Sequence, residues 1–206
     1  MTIYTSLVYG ILYLIFFAYP YSFQGVRGWS LEIASLPFLA IVAGVLLAGL
    51  VMAFFNKLWW LPRFLRNHMK VNPEDRMPPL VASSILLPAG LFWFAWTSNR
   101  NITWVPQVLS GIFIGAGIML HFLSGTAYLI DVYLLNANSA LAANICIRSM
   151  SAAAFPLLAK PMYERLGVAW ATSLLGFFCV ALIPFPIVLW RYGEKIRGWS
   201  KYSFEL

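Results

Sequence analysis

The amino-acid sequence predicts an all-α membrane protein with six transmembrane helices. Of its 206 residues, 61% are hydrophobic and 10% are charged, whereas a soluble domain carries about 25% charged residues. The mean hydropathy is +0.77. The apolar residues form six continuous runs, each at least as long as the ~20 residues with which a helix spans a bilayer. A chain of this composition is suited to lipid rather than to water.

Helices are favoured over membrane β-strands because the runs are continuous rather than alternating. Each run is also about twice as long as the ~10 residues of a barrel strand. The predicted spans cover residues 4–23, 35–56, 78–97, 104–133, 140–160 and 169–190.

The first three predicted helices carry local signals of their own. The first ends near Pro20; it is not predicted to be a signal peptide, because the first five residues carry no positive charge and no small-residue cleavage pattern follows. The second contains Gly44 and Gly49, which we expect to let a neighbouring helix approach closely. The third contains Pro88, which a membrane helix tolerates where its neighbours satisfy the freed carbonyl group.

The fourth run is about 30 residues long, so we expect it to tilt or to extend beyond the hydrocarbon layer. It contains Gly111, Gly115 and Gly117, whose GxxxG spacing favours close helix packing. The fifth and sixth runs are interrupted by Pro156 and Pro184.

The positive charges predict the orientation of the chain. Nine basic residues fall in two segments, the loop 57–77 and the tail 191–206, and only four fall on the opposite side. Because cytoplasmic segments are enriched in Lys and Arg, the loop and both termini are predicted to be cytoplasmic. The net charge of +7 is therefore explained by topology, and nucleic acid is not an expected partner. The nine residues are Lys57, Arg63, Arg66, Lys70, Arg76, Arg191, Lys195, Arg197 and Lys201, and the four are Arg27, Arg100, Lys160 and Arg165.

Two oppositely charged residues lie inside predicted spans, Asp131 and Arg148. Ionisable residues at such positions are costly and usually face the interior of a bundle, so both are candidates for a solute or proton pathway. Their expected depths differ by only several ångströms, and we predict that they form an ion pair. The pair would either clamp the fourth and fifth helices or break during transport.

A further polar stripe on the fourth helix consists of His121, Ser124 and Tyr128. Histidine titrates near neutral pH, so His121 is a candidate proton relay; alternatively it is hydrogen-bonded to a neighbouring helix. The stripe is a candidate wall for a solute cavity.

The sequence contains no HExxH, GxSxG or P-loop motif, no paired carboxylates and no His or Cys cluster with metal-ligand spacing. We therefore predict no enzyme activity, no metal site and no cofactor.

Two long segments have distinctive motifs: PEDRMPPLVASSILLPAGLFWFAWTS at residues 73–98, and the stretch from YLIDVYLL to IPFP at residues 128–186, which includes SALAAN, RS and PMYERLGVAW. Both segments resemble the fungal multidrug and polyamine transporters of the major facilitator superfamily. In those transporters the region forms the seventh to twelfth spans, so the resemblance implies one six-helix bundle of the superfamily fold, the C-terminal half of a twelve-helix transporter.

The resemblance also implies roles for residues of the loop and the first helix. Arg63, Arg66, Glu74, Asp75 and Arg76 are candidates for the family's cytoplasmic charge lock; alternatively the segment is a solvated positive loop.

One departure concerns the first helix. Where the family commonly places a glutamate, this sequence has Phe17. An acid that would serve proton coupling is therefore missing at that position.

The function implied is secondary active, proton-coupled export of small organic or cationic solutes, such as drugs or polyamines, across the plasma membrane. The expected partners are the lipid bilayer, the solute, protons and another six-helix bundle, either a second copy of this chain or a missing N-terminal half. The alternative is a truncated half without autonomous transport, which acts at most as a membrane interaction protein.

Overall fold

The computed structural model describes residues 1–66 and 72–197. Residues 67–71 of the predicted cytoplasmic loop, including Lys70, and residues 198–206 of the predicted tail, including Lys201, lie outside the described residues. Within the described part of the chain the secondary structure is helical, and no strand occurs there.

Eight α-helices make up the described residues, with short helical turns of other types between them. The α-helices are α1 (Thr2–Pro20), α2 (Leu31–Ser35), α3 (Phe38–Phe55), α4 (Leu61–Arg66), α5 (Met77–Thr97), α6 (Trp104–Tyr133), α7 (Ala137–Leu182) and α8 (Pro184–Arg197). π-helical turns at Tyr21–Val26 and Asn56–Trp60 extend α1 and α3, and 3₁₀ turns at Pro73–Arg76 and Leu134–Asn136 precede α5 and α7.

Five helical stretches within the described residues are long and apolar enough to cross a bilayer: Thr2–Val26, Leu31–Arg66, Pro73–Thr97, Trp104–Tyr133 and Ala137–Gly193. The last contains 57 residues, about 85 Å of helix at 1.5 Å per residue. Since the hydrocarbon core is only about 30 Å thick, this stretch is long enough for two crossings.

The turn that divides this stretch lies at Gly167. Its φ and ψ angles of 71° and 170° are not helical. The hydroxyl groups of Tyr163 and Thr172, on either side of the glycine, are 3.2 Å apart. In a continuous helix residues nine apart are separated by about 13.5 Å along the axis, so the chain folds back here. Residues 137–166 and 168–182 are therefore two helical arms, and the fold is a six-helix bundle.

Helix α6 lies at the centre of the packing, against α3 on one side and α5 on the other, and α1 packs against α7. The contact with α3 depends on glycines. A Cβ atom added at Gly115 would lie 2.2 Å from the carbonyl oxygen of Ile41, and one added at Gly44 would lie 2.2 Å from that of Ile112. The predicted close packing at these glycines is confirmed. The same prediction for Gly49 is wrong, because a Cβ there would meet nothing within 4 Å.

The end of the bundle opposite the loop 57–77 is held together by Arg27. Its guanidinium donates hydrogen bonds to the carbonyl oxygens of Thr97 (3.0 Å) and Ile102 (2.8 Å) and to Oε1 of Gln107 (2.9 Å). Gln107 in turn donates to the hydroxyl of Ser22 at 2.6 Å. The C-terminus of α5, whose carbonyl groups have no partner within the helix, is thereby capped by a side chain from the first connection.

The exterior of the described bundle is apolar. In α3 only three residues are buried, Gly44, Ala48 and Met52, while large side chains such as Leu46 and Phe54 are more than 60% exposed. A continuous apolar exterior of this kind requires lipid or another apolar partner. The predicted all-α membrane bundle is confirmed.

Candidate functional site

The first polar group of interest is a cluster where the loop 57–77 meets the end of α6. We call it the loop charge cluster, and it consists of Trp59, Trp60, Arg63, Asp75, Arg76 and Asp131. The cluster contains two ion pairs. Arg63 Nη1 lies 3.0 Å from Asp75 Oδ1, and Arg76 Nε lies 2.5 Å from Asp131 Oδ2.

Tryptophan rings support both arginines of this cluster. The guanidinium of Arg63 lies 3.8 Å from the ring centre of Trp59, and that of Arg76 lies 4.2 Å from that of Trp60. Such cation–π contacts stabilise a guanidinium and restrict its orientation. The cluster therefore links the π-helical turn, α4, the 3₁₀ turn before α5, and the last turn of α6.

The two ion pairs differ in exposure. The side chains of Arg76 and Asp131 are 16% and 10% exposed, whereas that of Arg63 is 46% exposed. Because water screens exposed charges, the Arg76–Asp131 pair is the stronger of the two.

The predicted ion pair between Asp131 and Arg148 is wrong. Arg148 lies beside Phe122, nine residues before Asp131 on α6. Nine residues correspond to about 13.5 Å of helix, so the two charges lie at different depths. Arg76, at the start of α5, is the residue that reaches Asp131.

The second polar group, the Arg148 cluster, consists of Tyr9, Tyr13, Phe122 and Arg148. The guanidinium carbon lies 4.7 Å from the ring centre of Tyr9 and 5.1 Å from that of Phe122. The hydroxyl groups of Tyr9 and Tyr13 are 3.5 Å apart. Tyr9, Phe122 and Arg148 lie in the interiors of α1, α6 and the 137–166 arm of α7, away from the helix ends.

Within the described residues Arg148 has no acidic partner and donates no hydrogen bond. Its Nε atom is also shielded from solvent, although the residue as a whole is half-buried. A charged group inside a membrane helix is normally paired or hydrogen-bonded. Arg148 therefore has donors available for a group from outside the described chain.

The other candidates on α6 are buried. His121 Nε2 lies 3.3 Å from the hydroxyl of Thr5, and the His121 ring makes an edge contact with Tyr4 at 4.5 Å. Ser124 is fully buried, and Tyr128 packs in an apolar cluster between α5, α6 and α8.

The remaining charge-lock candidates lie at the periphery of the loop charge cluster. Arg66 is exposed at the end of α4 and forms no ion pair with a described residue. Glu74 packs against α8, where its Oε1 would lie 2.6 Å from a Cβ atom at Gly193. Three of the five predicted residues, Arg63, Asp75 and Arg76, thus take part in the two ion pairs of the cluster.

An open cleft of about 520 Å³ lies at the loop end of the bundle, between α1, α6 and α7. Its lining includes Tyr133, Ser139 and Asn144, and Asn144 donates a hydrogen bond to the hydroxyl of Thr2 at 3.1 Å. Asn144 is four residues before Arg148, so the two side chains lie on the same face of α7. The cleft thus opens one helical turn from the Arg148 cluster.

Sequence reasoning identified Tyr13 as a possible solute contact but missed Tyr9, Phe122, Trp59 and Trp60 as members of the two clusters. A signal was present, since Trp59 and Arg63 are four residues apart, as are Tyr9 and Tyr13, a spacing that brings side chains together on a helix. The contact of Tyr9 and Phe122 with Arg148 joins three helices and has no local signal.

No group of three or more His, Cys, Asp or Glu side chains that could hold a metal ion occurs among the described residues.

The known proteins that match this chain are named as transporters or efflux pumps, and the matches cover nearly the whole chain. The citrinin biosynthesis cluster MFS transporter mrr1 of Monascus ruber is 55% identical over 204 residues, which are 98% of this chain and 40% of that protein. The MFS-type transporter traF of Penicillium crustosum is 50% identical over 203 residues, 98% of this chain and 42% of that protein. The efflux pump FUB11 of Gibberella fujikuroi is 42% identical over 204 residues, 99% of this chain and 35% of that protein.

No protein-family model matches the chain, and no solved structure gives a significant match. The chain spans about two fifths of the length of the curated relatives.

The fold and the relatives together define a multi-pass helical membrane protein. The homologues of this chain are fungal transporters of the major facilitator superfamily, and the chain corresponds to a C-terminal-like part of them. The predicted resemblance to transporters of this superfamily is thereby confirmed. The relatives are named as transporters and efflux pumps rather than as enzymes.

Proposed function

We propose that this chain forms one six-helix bundle of a secondary active transporter that exports small organic solutes in exchange for protons. The match to transporters over 98% of the chain carries the proposal. Drugs and polyamines, the solutes of the transporters that the sequence resembles, are the first candidates for export.

In this proposal the solute passes on the face that carries the Arg148 cluster. Transporters with two related bundles hold their solute near the midplane, where the bundles meet. The cluster is distant from the helix ends, and Tyr13, one of its members, is 40% exposed. Both features suit a side chain that meets a solute between two bundles.

The loop charge cluster is proposed to act as the cytoplasmic lock. Its two ion pairs join α4, the start of α5 and the end of α6. Breaking the pairs would let these elements separate, and re-forming them would close this end. The orientation follows from the positive-inside rule, which puts this end and both termini in the cytoplasm; the plasma membrane is proposed from the resemblance alone.

His121 and Asp131 are the proposed proton carriers. His121 is buried beside Tyr4 and Thr5, and Asp131 is held by Arg76. Protonation of Asp131 would remove its charge and release Arg76. A proton taken up there would thus unlock the cluster, which is one way to couple proton movement to opening.

A second bundle completes the transporter in this proposal, either another copy of this chain or a separate N-terminal half. The exposed apolar face of α3 and of residues 137–166, including Leu46, Phe54 and Leu157, supplies surface for lipid and for such a bundle. The alternative is a half without transport of its own, acting as a membrane interaction protein.

The experiment that tests the proposal uses the purified chain in lipid vesicles with an imposed pH gradient. One cation, rhodamine 6G, and one permanently charged anion, naphthalene-2-sulfonate, serve as fluorescent solutes. We expect the gradient to drive movement of at least one of them and a protonophore to abolish it. If a second copy of the chain completes the transporter, the chain should also migrate as a dimer in mild detergent. A folded, monomeric chain that moves neither solute would exclude autonomous transport and leave the alternative.

A further inference from the structure

Arg148 is an unpaired cation in the middle of a described membrane helix. Asp131, at the end of α6, is paired with Arg76, and His121 contacts Thr5 through Nε2. Placing an unpaired Arg, Lys or Asp at the centre of a membrane helix is costly. An anion that binds at Arg148 would offset this cost, whereas a second cation would add to it.

We infer that the Arg148 cluster binds the carboxylate or a similar anionic group of an aromatic solute. This inference rests on the proposed function and specifies the charge of the solute. The sequence predicts small organic or cationic solutes, whereas the Arg148 cluster favours organic anions.

The geometry of the cluster suits such a group. A guanidinium that contacts aromatic faces keeps its edge available, and that edge carries five N–H donors in a planar fork that matches a carboxylate. Arg148 contacts the rings of Tyr9 and Phe122 and donates no hydrogen bond to a described residue, so its fork is available. Charge-assisted bonds of this bidentate kind are among the strongest that proteins make.

The surroundings suit the rest of the solute. Tyr9, Tyr13 and Phe122 provide aromatic surface next to the guanidinium, which favours a flat, conjugated molecule. The hydroxyls of Tyr9 and Tyr13 are hydrogen-bonded to each other, so one of the two O–H groups remains free to donate to a bound anion.

A cleft also lies close to the cluster. The cleft of about 520 Å³ at the loop end contains Asn144, one turn before Arg148 on α7. The volume lies within the range of sites for small organic molecules. Entry from this end agrees with export from the cytoplasm.

The cluster lacks features that would hold a cationic solute. Rings bind cations through their faces, but the faces of Tyr9 and Phe122 that meet the cluster are already in contact with Arg148. Asp131, the carboxylate of α6, is paired with Arg76 at the loop end. A cation at this point would lie against a like charge with no acid to offset it.

The test uses the full chain in lipid nanodiscs, labelled with ¹⁵N at its arginines. Its nine arginines each give an Nε–Hε signal, and the Arg148 signal is assigned by its loss in Arg148→Lys. The probes are 2-naphthoate, its neutral isostere 2-naphthamide, and the cation 2-naphthylmethylammonium. We expect 2-naphthoate to shift the Arg148 signal saturably and the other two probes to leave it unchanged.

The matched variants are Arg148→Gln and Arg165→Gln, which remove an interior and an exposed arginine of the same helix. We expect Arg148→Gln to weaken 2-naphthoate binding by about 10- to 100-fold, as for a lost charge-assisted hydrogen bond, and Arg165→Gln to leave it unchanged. If Arg148→Gln does not fold, Tyr13→Phe replaces it, with an expected loss of a few-fold. Equal binding of the acid and the amide, or a shift of the Arg148 signal by the ammonium probe, would overturn the inference.

This measurement does not depend on transport. Proton-driven movement of rhodamine 6G without a 2-naphthoate shift would reject the anion site and retain the proposed function. A saturable 2-naphthoate shift in a chain that moves no solute would retain the anion site and reject autonomous transport.

Discussion

At the scale of single residues, the stability of the loop end depends on the Arg76–Asp131 ion pair. Both side chains are largely shielded from water. Removing one partner leaves the other charge without compensation, which costs about 3–5 kcal/mol for a fully buried pair. Because the Arg76–Asp131 pair is only slightly exposed, removing one of its partners should cost nearly as much free energy of unfolding as in a fully buried pair.

We predict that Asp131→Asn lowers the free energy of unfolding by about 2–3 kcal/mol. The measurement is thermal unfolding in detergent, and the double variant Arg76→Gln/Asp131→Asn should recover part of the loss. The control is Arg63→Gln, which breaks the exposed pair with Asp75 and should cost about 1 kcal/mol or less.

The same variant separates a clamp from a switch. If the pair only fastens α5 to α6, Asp131→Asn is less stable but its residual transport still depends on the proton gradient. If the pair breaks during transport, the variant loses its proton dependence. Unchanged stability together with unchanged transport would reject both roles.

The residue scale is also where sequence reasoning succeeds least. The sequence identifies Asp131, Arg148 and Arg76 as functional candidates from their positions alone. It does not identify their partners, because the choice between Arg76 and Arg148 depends on the packing of α5 and α6 and on a depth difference of about 13.5 Å. Likewise, Tyr9 and Phe122 are ordinary apolar-run residues until three helices bring them to Arg148.

At the scale of elements, the glycines of α6 determine how closely its neighbours approach. Gly115 faces the backbone of α3 at Ile41, and Gly117 faces that of α5 at Leu87. Helix packing in a bilayer relies on such contacts because lipid provides no hydrophobic driving force between helices.

We predict that Gly115→Ala lowers the free energy of unfolding by about 1–3 kcal/mol, because the new methyl group overlaps the Ile41 carbonyl group and forces the helices apart. Gly49→Ala is the matched control, since a Cβ there meets nothing and alanine favours the helix. Thermal unfolding of both variants gives the comparison. Equal effects would mean that the α3–α6 spacing does not depend on Gly115.

The fold-back in α7 depends on Gly167, whose φ of 71° is unfavourable for residues with a side chain. We predict that Gly167→Ala costs about 1–2 kcal/mol. Gly25→Ala, where φ is not positive and nothing lies within 4 Å, should cost less. A stability of Gly167→Ala equal to that of Gly25→Ala would show that the turn does not need glycine.

The elements themselves are largely predictable because apolar runs of this length permit little else in a membrane. α6 has the same bounds as the fourth predicted run, 104–133. The apolar runs do not predict the conformation of the connections between the helices. The segment between the fifth and sixth predicted runs stays helical through Pro161, which lies within α7. The chain turns instead at Gly167.

At the scale of the whole molecule, the distribution of charge predicts an orientation that labelling can check. Arg66→Cys and Asn99→Cys place a thiol in exposed positions at opposite ends of the bundle, in a background without Cys146 and Cys179. With a membrane-impermeant maleimide applied to intact cells, we expect Asn99→Cys to react and Arg66→Cys to react only after permeabilisation. The reverse pattern would contradict the proposed orientation and place the loop charge cluster outside.

In the proposed mechanism, proton coupling connects the loop charge cluster, His121 and the Arg148 cluster. It is measured most directly in vesicles that contain the chain and a pH indicator, with an outward gradient of naphthalene-2-sulfonate and no initial pH gradient. This permanently charged anion cannot carry protons across lipid by itself. We predict that its exit changes the internal pH, and that Arg148→Gln abolishes the change while Arg165→Gln preserves it. Exit of the anion at constant internal pH, with the membrane potential clamped, would contradict a proton-coupled transporter.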